Sequence, residues 1–144
     1  MYSAEHDSEH AVALWRIAGP LSADEWARHR RDMARIASWP ATPRPAVILM
    51  VRDFAPTARQ RAELADLSAH PGYRPYLVLV SSNALLRGAL QAIRWLQRRT
   101  AYEMEIVADL ETATAWLERR RGEPLPALRA MTRAASAPRV DVPA

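Results

Sequence analysis

The chain contains no cysteine and no lysine. The first absence excludes a disulfide framework, a thiolate metal site and a cysteine nucleophile. The second means that all 20 cations are arginine. Together with abundant alanine, that is how a GC-rich genome writes charge, and it reads as a bacterial chain. Long apolar runs are missing as well. The strongest, Ala46–Val51 and Tyr76–Val80, are far too short to span a bilayer. The opening Met-Tyr-Ser-Ala-Glu-His-Asp lacks the basic start and apolar run of a signal peptide. A cytoplasmic protein with no membrane span is the expectation.

What is present amounts to one domain. The length of 144 residues and a hydrophobic share of 49% supply a single real core. The net charge of +4 is spread thinly along the chain. It reads as solvated surface rather than a phosphate-binding face, so nucleic acid is not an expected partner.

Strand and helix signals alternate. Ala11–Ile17 reads as a strand broken by Gly19-Pro20. Ser22 and Glu25 have capping-box spacing, which predicts a helix over Ala23–Ser38 with Trp26, Met33 and Ile36 inward. Ala46–Val51 is apolar without alternation, the pattern of a strand covered on both faces. Thr57 and Gln60 repeat the capping box before a helix over Ala58–Ala69. Tyr76–Val80 is a second central strand. Ala84–Arg99 follows as a helix with Leu85, Leu86, Leu90, Ile93 and Leu96 inward and Arg87, Arg94, Arg98 and Arg99 outward. Glu103–Val107 is a short strand. Asp109 caps a last helix to about Arg120, packed by Leu110, Ala113, Trp116 and Leu117. Tyr2–Glu5 is a candidate edge strand, hairpinned to Ala11–Ile17.

The fold expected is therefore α/β: an open, mostly parallel sheet of four to five strands with four helices, over residues 1–120. From Arg121 the chain becomes rich in arginine, alanine and proline, and residues 121–144 read as a disordered tail. Within it Leu125, Leu128 and Met131 fall at i, i+3 and i+6, the spacing of a short helix induced by a partner.

Four clusters carry candidate chemistry. Ser81, Ser82, Asn83 and Arg87 stand where a strand's carboxyl end meets a helix start, a place where open α/β sheets bind ligands. The loop lacks the glycines that wrap a phosphate closely, and an ordinary capped turn is the competing account. His6 and His10 are four apart, which on a helix brings two imidazoles to one metal; a solvated turn competes. His29 reads as lying on a polar helix face and His70 at a helix end. Arg87, Arg94, Arg98 and Arg99 form a stripe for an acidic partner or simply a solvated face.

The order of elements resembles the STAS family (sulfate transporter and anti-sigma-factor antagonist), together with its SEC14-like small bacterial relatives. The residues that carry the resemblance are Arg16-Ile17-Ala18-Gly19-Pro20-Leu21 before a capped helix, Arg52-Asp53-Phe54-Ala55-Pro56-Thr57 at a helix start, Val78-Leu79-Val80-Ser81-Ser82 before the next, and Ala113-Thr114-Ala115-Trp116-Leu117. The resemblance covers about residues 1–120. It implies a non-catalytic regulatory or scaffolding module that works by protein–protein contact, with no cofactor. It also implies a phosphorylatable Ser or Thr at the position of Thr57, with Asp53 just upstream. The chain departs from the Asp-Ser-Ser-Gly phrase of the antagonist branch: it has no glycine there and Pro56 precedes the threonine. Arg59 and Arg61 would then face an acidic partner or a phosphate on Thr57, while a plain N-cap is the alternative for that threonine. The SEC14-like branch implies a second reading, an apolar ligand or lipid cavity near Tyr73, Tyr76, Trp95 and Trp116. A third is an α/β enzyme using the Ser81–Asn83 loop.

Overall fold

The computed structural model of the chain describes residues 1–96 and 100–137, less the side chains at positions 93, 95 and 96. Arg98 and Arg99 of the arginine stripe lie outside the described residues, as do the side chains of Ile93, Trp95 and Leu96. Five strands form one sheet in the order β1-β2-β3-β4-β5: β1 (Tyr2–Asp7), β2 (Val12–Ala18), β3 (Ala46–Arg52), β4 (Tyr76–Val80) and β5 (Glu103–Val107). The polar turn after Asp7 folds β1 back antiparallel to β2, with Tyr2 opposite Ile17. Every later pairing is parallel, because a helix carries the chain back each time.

Strand order runs in one direction, so right-handed crossovers place all three connecting helices on one face. These are α1 (Ala23–Ser38), α2 (Ala58–Ser68) and α3 (Ala84–Leu96). After β5 the chain turns to the other face and lays down α4 (Leu110–Arg121) and α5 (Pro126–Ser136). The described residues thus hold five helices, one more than the sequence predicts. The capping boxes at Ser22 and Thr57 form as their spacing requires, and Asp109 caps α4 through the Thr112 amide.

The fifth helix corrects the reading of residues 121–144 as disordered tail. Gly122 stops α4 in the left-handed conformation (φ 71°), which glycine adopts without a Cβ penalty. Pro126 then starts α5 at its first turn, where a missing N–H costs nothing. Leu125 and Leu128 go into the core with Val12, Leu14, Ile48 and Val78, and Met131 packs against them. The three-residue spacing does mark a helix, and what it docks on is the chain's own β2. Residues 138–144 lie outside the described residues.

Period-two alternation divides the strand residues between two cores. Val12 and Leu14, Ile48, Val78 and Val80 face α4 and α5. Ala13, Trp15, Ile17, Val47 and Leu77 face α1 to α3. Three inward assignments change. His29, expected on a polar face, is 2% exposed beneath α1. Leu85, expected inward on α3, is 86% exposed. Trp116 is only half-buried: its ring meets Tyr76 edge-on and lies under the Arg120 guanidinium.

Candidate functional site

Residues at period two on four neighbouring strands build an apolar floor. Trp15 and Ile17 come from β2, Leu49 and Val51 from β3, Leu77 and Leu79 from β4, and Met104 from β5. Trp26, His29 and Met33 of α1 form one wall. Leu64 and Ala65 of α2 stand across from Leu86 and Leu90 of α3, and Tyr73 and Tyr102 line one end. These groups, with Phe54 and Pro56, line a cavity of about 250 Å³ that is open to solvent, with the exposed Arg61 and Ala65 on its rim.

The hollow has a structural cause. α2 packs on α1 and α3 packs on β5, while neither comes down on the central strands β3 and β4 with comparable contact. No residue of α2 is fully buried. On the opposite face α4 sits directly on β3, β4 and β5. The floor registers the difference: Val78, facing α4, is 0% exposed, whereas Leu77 and Leu79 on either side of it are each 8% exposed.

His29 is a buried polar side chain of the cavity wall. Three rings surround it, those of Tyr2, Trp15 and Trp26, with centroids at 5.2, 5.4 and 5.6 Å. Each neighbour's polar atom is committed elsewhere. The Tyr2 hydroxyl donates to Asp32 at 2.7 Å, the Trp15 indole N–H to His6 Nε2 at 3.0 Å, and the Trp26 indole N–H to Glu63. His29 Nδ1 is buried and has no hydrogen-bond partner among the described residues. Burial pushes the imidazole down to about 4, so it is neutral near pH 7.

The residues singled out in the sequence fall at the carboxyl edge of the parallel strands, as their loops require. Asp53 stands in the loop after β3 at φ 50°, a left-handed conformation that aspartate tolerates better than most side chains, and it is exposed. Thr57 accepts the Gln60 amide at 3.1 Å and so caps α2. Arg59 pairs with Glu63 at 3.3 Å, and the Arg61 guanidinium donates to the Pro56 carbonyl at 2.9 Å. In the neighbouring loop the buried Ser81 accepts the Asn83 amide through Oγ, Asn83 caps the start of α3 through the amides of Leu85 and Leu86, and Arg87 donates to the Ser81 carbonyl at 2.8 Å. Ser82 is exposed. The side chains of Ser81, Asn83 and Arg87 are spent on closing their own turn. Of all these residues Arg61 alone lines the cavity.

Other expectations separate in space. Tyr73 lines the cavity, but Tyr76 and Trp116 pair on the opposite face of the sheet, because Tyr76 and Leu77 point to opposite sides. His6 and His10 do not converge. β1 carries His6 to Trp15 and Arg35, while His10 lies past the strand and bonds Asp7 at 2.8 Å. That bond raises His10 and lowers Asp7 from their ordinary values, and together with Glu9 it makes an exposed acidic turn. A second hollow on the outer edge of β5 is lined by charges already paired, Arg94 with Glu105 and Arg120 with Glu103.

Sequence reasoning missed Trp15, His29, Leu64 and Met104 as site residues. The only signal for Trp15 and Met104 was strand alternation, which names a face without saying whether that face is filled. No helix among the described residues is long and apolar enough to cross a membrane. Comparison with protein-family models, curated proteins and solved structures finds no match for the chain.

Proposed function

We propose that this protein is a non-catalytic binding module that takes up a small apolar ligand between the sheet and helices α1 to α3. One observation carries the reading: a cavity of about 250 Å³ whose floor and walls are almost wholly apolar side chains. Ligand sites are concave, mostly apolar and furnished with few polar groups, and this hollow has that character. A designed-in void is otherwise costly, since the lining loses packing partners on one side. The SEC14-like branch of the resemblance implies the same class of function.

The test is a thermal-shift and calorimetric titration of the full chain with two-ring apolar compounds. Binding should raise the melting temperature, and filling the hollow from its buried floor with Leu79→Trp should abolish the response. A chain that responds to no such compound, or a folded Leu79→Trp variant that responds as well as the parent, overturns the reading.

A second reading, a regulatory surface for a protein partner, draws support from the rim. Pro56 and Arg61 line the cavity mouth and belong to the same helix start as the exposed Thr57. The amides at that start favour an acidic contact. Occupancy of the cavity and recognition by a partner would then meet at one helix terminus.

A further inference from the structure

His29 poses a chemical problem that the protein leaves unsolved. A buried polar atom normally finds a partner, and its neighbours here have all found one. Tyr2, Trp15 and Trp26 send their polar atoms outward to Asp32, His6 and Glu63. What these three neighbours turn to the imidazole is their rings, and among the described residues nothing bonds Nδ1. The same imidazole lines the cavity. Nδ1 itself is shielded from the open space, so a molecule in the cavity reaches it once the ring turns about χ2.

We infer that the occupant is an uncharged molecule about two fused rings in size that bears one hydroxyl group, and that His29 holds that hydroxyl. This rests on the proposed ligand-binding role and adds the chemistry of the ligand. Size follows from volume. A void of about 150 Å³ accepts benzene, so about 250 Å³ accepts roughly ten non-hydrogen atoms. The absence of charge follows from the lining. Arg61, the cation of the lining, stands exposed at the rim with its guanidinium on the Pro56 carbonyl. A carboxylate beside His29 would lose its water and meet no cation there. Burial also keeps the imidazole itself neutral. A hydroxyl fits such a ring in either tautomer, because it both donates and accepts, whereas a carbonyl or an N–H fits only one. Histidine χ2 is broad and roughly two-fold, and no Nδ1 bond restrains the ring, so Nδ1 can turn to an incoming hydroxyl.

The experiment compares 2-naphthol with naphthalene by isothermal titration against the full chain, His29→Phe and His29→Asn. Asparagine returns a hydrogen-bonding group close to the position of Nδ1. The expected result is that the parent binds 2-naphthol about tenfold more tightly than naphthalene, since one buried hydrogen bond is worth about that ratio. His29→Phe should bring the ratio to about one through weaker naphthol binding, and His29→Asn should restore much of it. Equal affinity of the parent for both compounds overturns the inference and leaves the cavity reading standing. A preference that survives in His29→Phe overturns it too. Failure of the parent to bind either compound overturns both. If His29→Phe does not fold, the parent ratio and His29→Asn decide: a parent preference that His29→Asn retains supports the inference.

Discussion

The two faces of one sheet are packed in opposite ways. On the face of α4 and α5, Val12, Leu14, Ile48, Val78, Leu117 and Leu128 are closed into a core. Polar groups finish the seal. Glu118 accepts the Leu125 amide at 2.8 Å and pairs with Arg129, which ties α5 to α4. The Arg121 guanidinium reaches the carbonyls of His10, Ala11 and Arg44 at 3.0, 3.0 and 3.1 Å and fastens the end of α4 to the strand starts. On the other face α1 is sunk deeply, through Trp26, His29, Met33 and Ile36, while α2 buries none of its residues fully. α2 and α3 stand away from the centre of the sheet and leave it open. One face holds the fold together, and the other gives up packing to make room. Stability and binding can thus be changed separately, and substitutions should reveal that division.

The largest effect should come from removing α5. Truncation after Gly122 exposes the side of β2 that Leu125 and Leu128 cover, at a cost of about 2–5 kcal/mol for each buried leucine. The melting temperature should fall by roughly 10 °C or more, measured by circular dichroism. A truncated chain that melts with the parent would show that α5 contributes nothing to the sealed face.

Next come paired substitutions, one on each face. Leu128→Ala should cost about 2–5 kcal/mol, because its surroundings are close-packed. Leu90→Ala, on a residue that already borders empty space, should cost less than about 1 kcal/mol. Urea unfolding gives both values. Similar losses would mean that the hollow face carries as much stability as the sealed one.

Between pH 6.5 and 4 the hollow face should carry a pH dependence of its own. His29 titrates at about 4 when folded and near 6.5 when unfolded. Between those values the unfolded chain binds a proton that the folded chain refuses. Stability from His29 is therefore full above pH 6.5 and is lost as pH falls toward 4, by on the order of 3 kcal/mol. His29→Leu should flatten that part of the curve. His6, also lowered by burial, contributes in the same direction in both chains, so the difference between them isolates His29. Coincident slopes for the two chains between pH 6.5 and 4 would show the imidazole protonated or solvated in the fold.

The smallest effect belongs to Thr57. Aspartate caps helices as well as threonine does, so Thr57→Asp should leave stability within about 1 kcal/mol of the parent. Its added charge should nonetheless change binding of an acidic partner at the cavity rim. Unchanged affinity for such a partner would leave Thr57 with the single task of capping α2.

Much of the sealed architecture was legible in the residues. The capping boxes at Ser22 and Thr57 need only a three-residue spacing, and Ala46–Val51 announces a central strand by being apolar on both sides. The tail was misread because composition averages over a window, whereas α5 depends on two leucines at helical spacing and a glycine that ends the helix before it. The cavity was expected around residues that the fold then sent to opposite faces: Tyr73, in the loop before β4, reached it, and Tyr76, turned away by the strand pleat, did not. His29 was read as polar surface because it stands among charged neighbours along the chain, from Arg28 to Asp32. Its burial depends on the angle at which α1 meets Tyr2 and Trp15.

The sequence by itself determined where the five strands and the first four helices begin, which side chains share a strand face, and that the sheet after its first hairpin is parallel. Those properties follow from interactions a few residues long: caps, breakers, period two and the length of a crossover. Only the tertiary structure decided that one face is closed and the other hollow, and that a histidine in the wall of the hollow has an Nδ1 with no partner among the described residues. Both depend on how far α2 and α3 stand from β3 and β4, a distance set by packing among residues remote in the chain.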